Sequence, residues 1–210
     1  MMQVKVCGMA DRADVDTCCA AGADALGFIF YAKSPRRLTV DQAGSLTAAV
    51  PSLVKTVGVF ADNPETLVRS AIESCRLDVL QFSGDESPEF CGSFGKPTIV
   101  AARGRRWTPE ARSKARAIAV LVDSWSPNEF GGTGRLASHE QAQRARDEHE
   151  GAVIVLAGGL TPKNVAPLIQ SIKPDAVDVR TGVERDGHKD FDLVLSFVSA
   201  ARTAFENKTS

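Results

Sequence analysis

No charge of one sign dominates this chain. Lys and Arg number 25, Asp and Glu 26, and the net charge is −1. That balance argues against a protein that coats nucleic acid through a basic face. It leaves room for a small anionic substrate, because a few backbone N–H groups and one Arg can hold a phosphate. No apolar run approaches the ~18 residues that a membrane-crossing helix needs. The opening segment, MMQVKVCGMADRADVD, lacks an apolar stretch between a basic start and a cleavage site, so no secretory leader is expected. The five cysteines are Cys7, Cys18, Cys19, Cys75 and Cys91. An odd count without C-x-x-C spacing suits neither a disulfide framework nor a zinc site, and it points to a reducing cytoplasm. Free cysteines are commonly small buried apolar side chains. No linker or low-complexity stretch interrupts the 210 residues, of which 43% are hydrophobic and 24% charged. One domain over residues 1–205 is expected, with 206–210 (ENKTS) as a disordered tail.

Eight short runs rich in Val, Ile and Leu read as strands buried on both faces. They are VKVC, ALGFIF, VKTVGVF, VLQF, TIVAA, IAVLVD, VIVLAG and AVDV. Between them lie segments with helix-start chemistry at Asp11, Thr39, Asn63-Pro64, Ser87-Pro88, Thr108-Pro109, Ser138, Thr161-Pro162 and Asp190. The segment after Ser87 is the weakest of these helices, being short and containing Gly92. Eight strand–helix alternations leave an open parallel sheet or a closed barrel. At ~25 residues per unit the length suits a small (β/α)8 barrel. The first turn, Cys7-Gly8-Met9-Ala10-Asp11, is not the G-x-G-x-x-G that an open nucleotide-binding sheet carries there. An α/β fold of one (β/α)8 barrel, the TIM barrel, is therefore expected.

Such a barrel works at the C-terminal ends of its strands. Gly158-Gly159 and Thr181-Gly182 follow the seventh and eighth runs. Each pair alone is an ordinary turn signal, but loops in those two positions often hold a phosphate on backbone N–H groups. Cys7 and Asp123 end the first and sixth runs and are the two groups there able to move protons. An acid and a base flanking one sugar carbon is the layout an aldose–ketose isomerase needs. Asp123 also reads as a turn cap. Asp178 and Arg180 share one strand face, as do Lys5 and Cys7. If those faces look inward, Lys5 pairs with Asp178 across the closing strands, either as a structural ion pair or as a carboxylate beside Cys7. The glycines of SWSPNEFGGTG, between Asp123 and Leu136, suggest a long loop covering the site, and they lack the G-K-[ST] ending of a nucleotide loop.

Taken in order, VKVCGM, GADALGFIFYAKSPR, TVGVF, QFSGDE, LVDSWSPNEFGGTG, LAGGLTPKNV and AVDVRTGVE with GHKD resemble the phosphoribosylanthranilate isomerase family of tryptophan biosynthesis. The resemblance covers roughly residues 3–200, with one motif per strand end. It implies an Amadori rearrangement of a phosphorylated small molecule, with neither cofactor nor metal. It carries the general base onto Cys7, the general acid onto Asp123, and the contact with the anthranilate carboxylate onto Arg36. Without the resemblance, Arg36 reads as a solvated loop residue. Gly158, Gly159, Thr181 and Gly182 fall on the phosphate loops, and Asp178 is taken with them as substrate-binding. The chain departs from the family at Ser83, where His is usual, at Arg180, where a small residue is frequent, and at Arg135–His139, where aromatics are common. A sugar-phosphate isomerase of the histidine pathway, or one of dual substrate use, would place Asp at Cys7. A silent phosphate-binding barrel would show no turnover. A monomer is expected.

Overall fold

A computed structural model describes residues 3–123 and 139–207, without the side chains of 139–142 and 145. Eight parallel strands close into a barrel in chain order. They are β1 (Val4–Cys7), β2 (Ala25–Ile29), β3 (Lys55–Phe60), β4 (Val79–Phe82), β5 (Thr98–Ala101), β6 (Ala117–Val122), β7 (Ile154–Leu156) and β8 (Ala176–Val179). The helices between them are α1 (Arg12–Ala20), α2 (Val40–Ala48), α3 (Glu65–Ser74), α4 (Pro88–Gly92), α5 (Pro109–Ala115), α6 (His139–Glu148) and α7 (Val165–Ile172). After β8 come a 3-10 turn (Thr181–Val183), a small antiparallel pair β9 (Glu184–Arg185) and β10 (His188–Lys189), and α8 (Phe191–Asn207). The expected barrel and all eight strands are present, with ends moved by a residue or two. The last helix takes in Glu206 and Asn207, both expected in the tail. The loop expected to cover the site beyond Asp123, the Ser138 cap and the Arg135–His139 departure lie outside the described residues. Among the described residues no helix is long and apolar enough to cross a membrane.

Each strand faces two cores, which is why the runs show no polar alternation. Cys7, Ile29, Val59, Ile99, Leu121 and Val155 point into the barrel. Val4, Val6, Phe28, Leu80, Val120 and Val177 point outward under the helices. A chain of phenylalanines fills part of the outer layer. Phe30 stacks on Phe60 with centroids 4.9 Å apart, and Phe82 lies 5.9 Å from Phe60, Phe90 and Phe94.

The lower rim repeats one device. Asp24, just before β2, accepts from the N–H groups of Gln3 and Val4 at 3.0 and 2.9 Å. Asp78, before β4, accepts from Thr56 at 2.9 Å, and Asp175, before β8, from Ile154 at 2.8 Å. An aspartate ahead of each of these strands thus anchors the start of its neighbour. At β6 the matching residue is Arg116 in the left-handed region (φ 54°), and there the β5–β6 ladder shifts register between Thr98 and Ile99.

Five of the expected helix starts hold. Asp11, Thr39, Ser87, Thr108 and Asp190 each accept from an N–H three residues on. Two do not. Asn63 is buried and spends its amide on the Ala61 N–H and the Phe30 carbonyl, so Pro64 stands at the helix boundary with no side-chain cap. After Thr161 the chain first makes a turn, closed by Asn164 accepting from the Thr161 N–H at 2.7 Å, and α7 begins at Val165.

Gly92 has a packing reason. A Cβ there would lie 1.9 Å from the Lys114 carbonyl oxygen, so α4 approaches α5 only through a bare Cα. Gly92→Ala should therefore destabilise the protein by about 1–3 kcal/mol despite the better helix propensity of Ala. A thermal melt checks this, with a Tm lowered by several degrees expected.

Candidate active site

A cavity of about 450 Å³ opens at the C-terminal ends of the strands. Cys7, Asp123, Gly158, Gly159, Asp178 and Thr181 all line it. Arg36 and Gly182, the other two expected site residues, are not among its lining residues. The barrel fixes this arrangement. Cys7 is the last residue of β1 and Asp123 the first after β6, so each enters the mouth from its own strand. Cys7 is almost wholly buried, while Asp123 is partly exposed.

Barrel closure sets the floor. β1 and β8 pair with Lys5 opposite Asp178. The Lys5 Nζ lies 2.9 Å from both carboxylate oxygens, and Lys5 itself has no solvent exposure. Burial works against the Lys5 charge, but Asp178 and the Cys7 sulfur outweigh it and hold its pKa above the ordinary value. Burial pushes the Cys7 thiol up, Lys5 pulls it back, Asp178 raises it again, and Lys189 lowers it further. The protonated thiol is therefore the resting form near neutral pH. Gly27 on β2 leaves room for this group, since a Cβ there would lie 2.6 Å from the Cys7 sulfur and 3.1 Å from the Lys5 nitrogen.

The loops that carry the two glycine pairs meet beside the cavity. Gly158 and Gly159 have φ of 86° and 61°, a region that costs glycine little. The Asn164 side chain donates to the Gly159 carbonyl at 3.0 Å and fixes the loop. Across from it, a Cβ at Gly182 would fall 1.8 Å from the Leu160 carbonyl oxygen. Gly182 thus seats the Thr181–Val183 turn against the β7 loop instead of facing the cavity. Successive N–H groups on adjoining loops of this kind are suited to an anion.

Arg36 has other partners. Its guanidinium lies 3.4 Å from Asp14 and 3.1 Å from Glu184 and donates to the Gly187 carbonyl. Asp14 also accepts from the Ala10 and Lys189 N–H groups at 2.9 and 2.8 Å. Asp11, Asp14 and His188 cluster beside it with metal-like spacing, but the Asp14 oxygens are taken up by these donors and the cluster is not among the cavity's lining residues.

Sequence reasoning gave no site role to Gln81, Tyr31 or Arg103, which also line the cavity. Gln81 is a polar residue within the apolar VLQF run and donates to Ser83 at 3.1 Å. Tyr31 is the single tyrosine of the chain. Arg103, at φ 39°, follows β5 and pairs with Asp85 at 3.1 Å. The lone Gln in a strand was a legible signal; the other two were visible only as loop residues.

Because Gly182 holds the two loops together, Gly182→Ala should weaken the binding of inorganic phosphate by about tenfold or more, the change titration calorimetry would read. An unchanged affinity in a folded variant would separate Gly182 from the anion cradle.

Comparison with known proteins agrees with this geometry. The family model described as N-(5'phosphoribosyl)anthranilate (PRA) isomerase matches residues 4–200. An N-(5'-phosphoribosyl)anthranilate isomerase from Thiobacillus denitrificans is 42% identical over 97% of this chain and 99% of its own length. The solved phosphoribosyl anthranilate isomerase of Thermotoga maritima superposes with a TM-score of 0.81 at 29% identity, covering 97% of this chain and all of that one, 100%. A solved phosphoribosyl anthranilate isomerase in complex with reduced 1-(o-carboxyphenylamino)-1-deoxyribulose 5-phosphate superposes with a TM-score of 0.77 at 28% identity, covering 97% and 100% of the two chains. This chain belongs to the N-(5'-phosphoribosyl)anthranilate isomerase family.

Proposed function

We propose that the chain converts N-(5-phosphoribosyl)anthranilate into 1-(2-carboxyphenylamino)-1-deoxyribulose 5-phosphate, an aldose-to-ketose step of tryptophan biosynthesis carried by Cys7 and Asp123. The observation behind this assignment of roles is that a thiol on β1 and a carboxyl after β6 line one cavity together with the paired glycine loops. The phosphate rests on the N–H groups around Gly158, Gly159 and Thr181, with Gly182 bracing them. Asp123 gives its proton to the furanose ring oxygen, and the C1–O bond breaks to leave an iminium. Cys7, having first lost its thiol proton to solvent, takes the C2 proton as thiolate. The C2–H electron pair becomes the C1–C2 double bond, and the iminium π pair moves onto nitrogen. The enolamine then tautomerises to the ketone, and the proton on sulfur returns to the Asp123 carboxylate through solvent. No step in this scheme calls on a metal or cofactor. Asp178, on the cavity floor, is read as contacting the sugar hydroxyls.

Arg36 is read as the contact for the anthranilate carboxylate, for which its forked guanidinium is suited. In that role it must exchange Asp14 or Glu184 for the substrate. The reading of the chain as a monomer draws on its few exposed large apolar side chains, which among the described residues are Leu53, Ile118, Val153, Phe191 and Leu195, and its cytoplasmic setting on its free cysteines.

Cys7→Ala and Asp123→Asn should each lower kcat by about 10²–10⁴-fold, followed as the decay of substrate fluorescence. Near-normal turnover in either variant would remove that residue from the scheme. Arg36→Ala should act chiefly on KM, raising it about tenfold or more. A loss confined to kcat would contradict a ground-state carboxylate contact.

A further inference from the structure

Beneath the reacting groups sits a charge that the scheme above leaves idle. Lys5 is fully buried, two residues before Cys7 on the inward face of β1. An ammonium in a dry interior is strongly unfavourable unless it is paired. Asp178 supplies the pair through both oxygens at 2.9 Å. The cation is not fully enclosed by that carboxylate, because the Lys5 nitrogen and the Cys7 sulfur both crowd the space left open by Gly27.

The other charged groups around the sulfur come from several elements. Lys189 approaches from β10 and acts on it favourably. Arg180, just past β8, lays its Cγ and Cδ against Gly8, 3.2 and 3.3 Å from where a Cβ would stand. Asp123 and Tyr31 line the same cavity from β6 and β2. From β2 itself the sulfur lies against Gly27, with Ile29 in the same inner cluster, and neither titrates.

We propose that Lys5 is a positioning residue for this reaction: held by Asp178, its ammonium presents positive charge to the Cys7 sulfur and favours the thiolate that takes the C2 proton. This rests on the reading of Cys7 as the base. The proton balance is closed. When C2 loses its proton, the negative charge on sulfur and the positive charge on the iminium disappear together. Lys5 keeps all its protons, and the Lys5–Asp178 pair is unchanged across the step.

Lys5 and Asp178 act on the sulfur with opposite sign, Lys5 lowering the thiol pKa more than Asp178 raises it. A pair that only closed the barrel, with its charges out of reach of the sulfur, would leave the reactivity of Cys7 unmoved by either substitution. The test is the pH dependence of Cys7 alkylation by iodoacetamide in the whole protein without substrate, read on the Cys7 peptide by mass spectrometry. Asp178→Asn should move the profile to lower pH and speed alkylation several-fold at pH 7.5. Lys5→Met should move it to higher pH and slow alkylation on the order of tenfold. The neutral double variant, Lys5→Met with Asp178→Asn, should also lie above the wild type, because the larger influence has been removed. It keeps the proposal testable if Lys5→Met alone, which strands a buried carboxylate, fails to fold. Shifts in the same direction for Asp178→Asn and the double variant, or no shift in folded protein, would overturn the proposal. Alkylation without substrate judges Lys5 by itself, whereas turnover by Cys7→Ala judges Cys7 as base, so the two failures are distinguishable.

Discussion

The first and last strands of the barrel meet over a buried ammonium and a buried carboxylate. Lys5 stands opposite Asp178 in the closing ladder, so closure and charge pairing are one event. A register slip of one residue would turn both side chains out of the barrel and leave hydrocarbon facing charge. The pair is a weak guarantee of stability, since well-packed apolar residues often do as well. Its position accounts better for its presence. It lies one side-chain layer beneath Cys7, whose neighbours on the inner wall include the apolar Ile29 and Val59. Among the buried polar side chains of the inner wall, Lys5, Cys7 and Asp178 are gathered at this closure, while Gln81 lies on β4.

Above that floor, the mouth is shaped by close backbone approaches. Gly182 against Leu160 joins the two loops beyond β7 and β8. Gly84 does the same on the β3–β4 side, where a Cβ would fall 2.6 Å from the Asp62 backbone nitrogen. There Glu86 is buried and accepts from the Asp62 and Gly84 N–H groups at 2.8 and 2.9 Å, while burial pushes its own carboxyl upward. The rim is thus tied to itself by backbone groups, and the cavity keeps its outline without large side chains filling it. The lower rim has a different logic. Its aspartates hold strand starts, and a stability role at that end suits the division of labour in this fold.

Much of this was legible in the sequence, because the signals were local. Strands buried on both faces leave uninterrupted apolar runs, and helix starts leave a capping side chain next to them. The reading went wrong where a local signal was recruited by distant structure. Asn63 looks like a cap but is drawn inward to the Phe30 carbonyl of the preceding unit. The Lys5–Asp178 pair was foreseeable from two-residue alternation once closure was assumed. The surroundings of Arg36 were not, because Asp14, Glu184 and Gly187 come from opposite ends of the chain and meet it only in the folded barrel. Gln81 could have been found as the one polar residue of its strand.

The central claim is that a sulfur in the barrel mouth removes the sugar's C2 proton and exchanges it with water. It is tested most directly by a single turnover with substrate carrying deuterium at C2. The account predicts a primary isotope effect on the decay of substrate fluorescence, with the deuterium recovered in solvent and absent from C1 of the product. Deuterium carried intact from C2 to C1 would mean that it never exchanges with water on the sulfur, and would contradict the account.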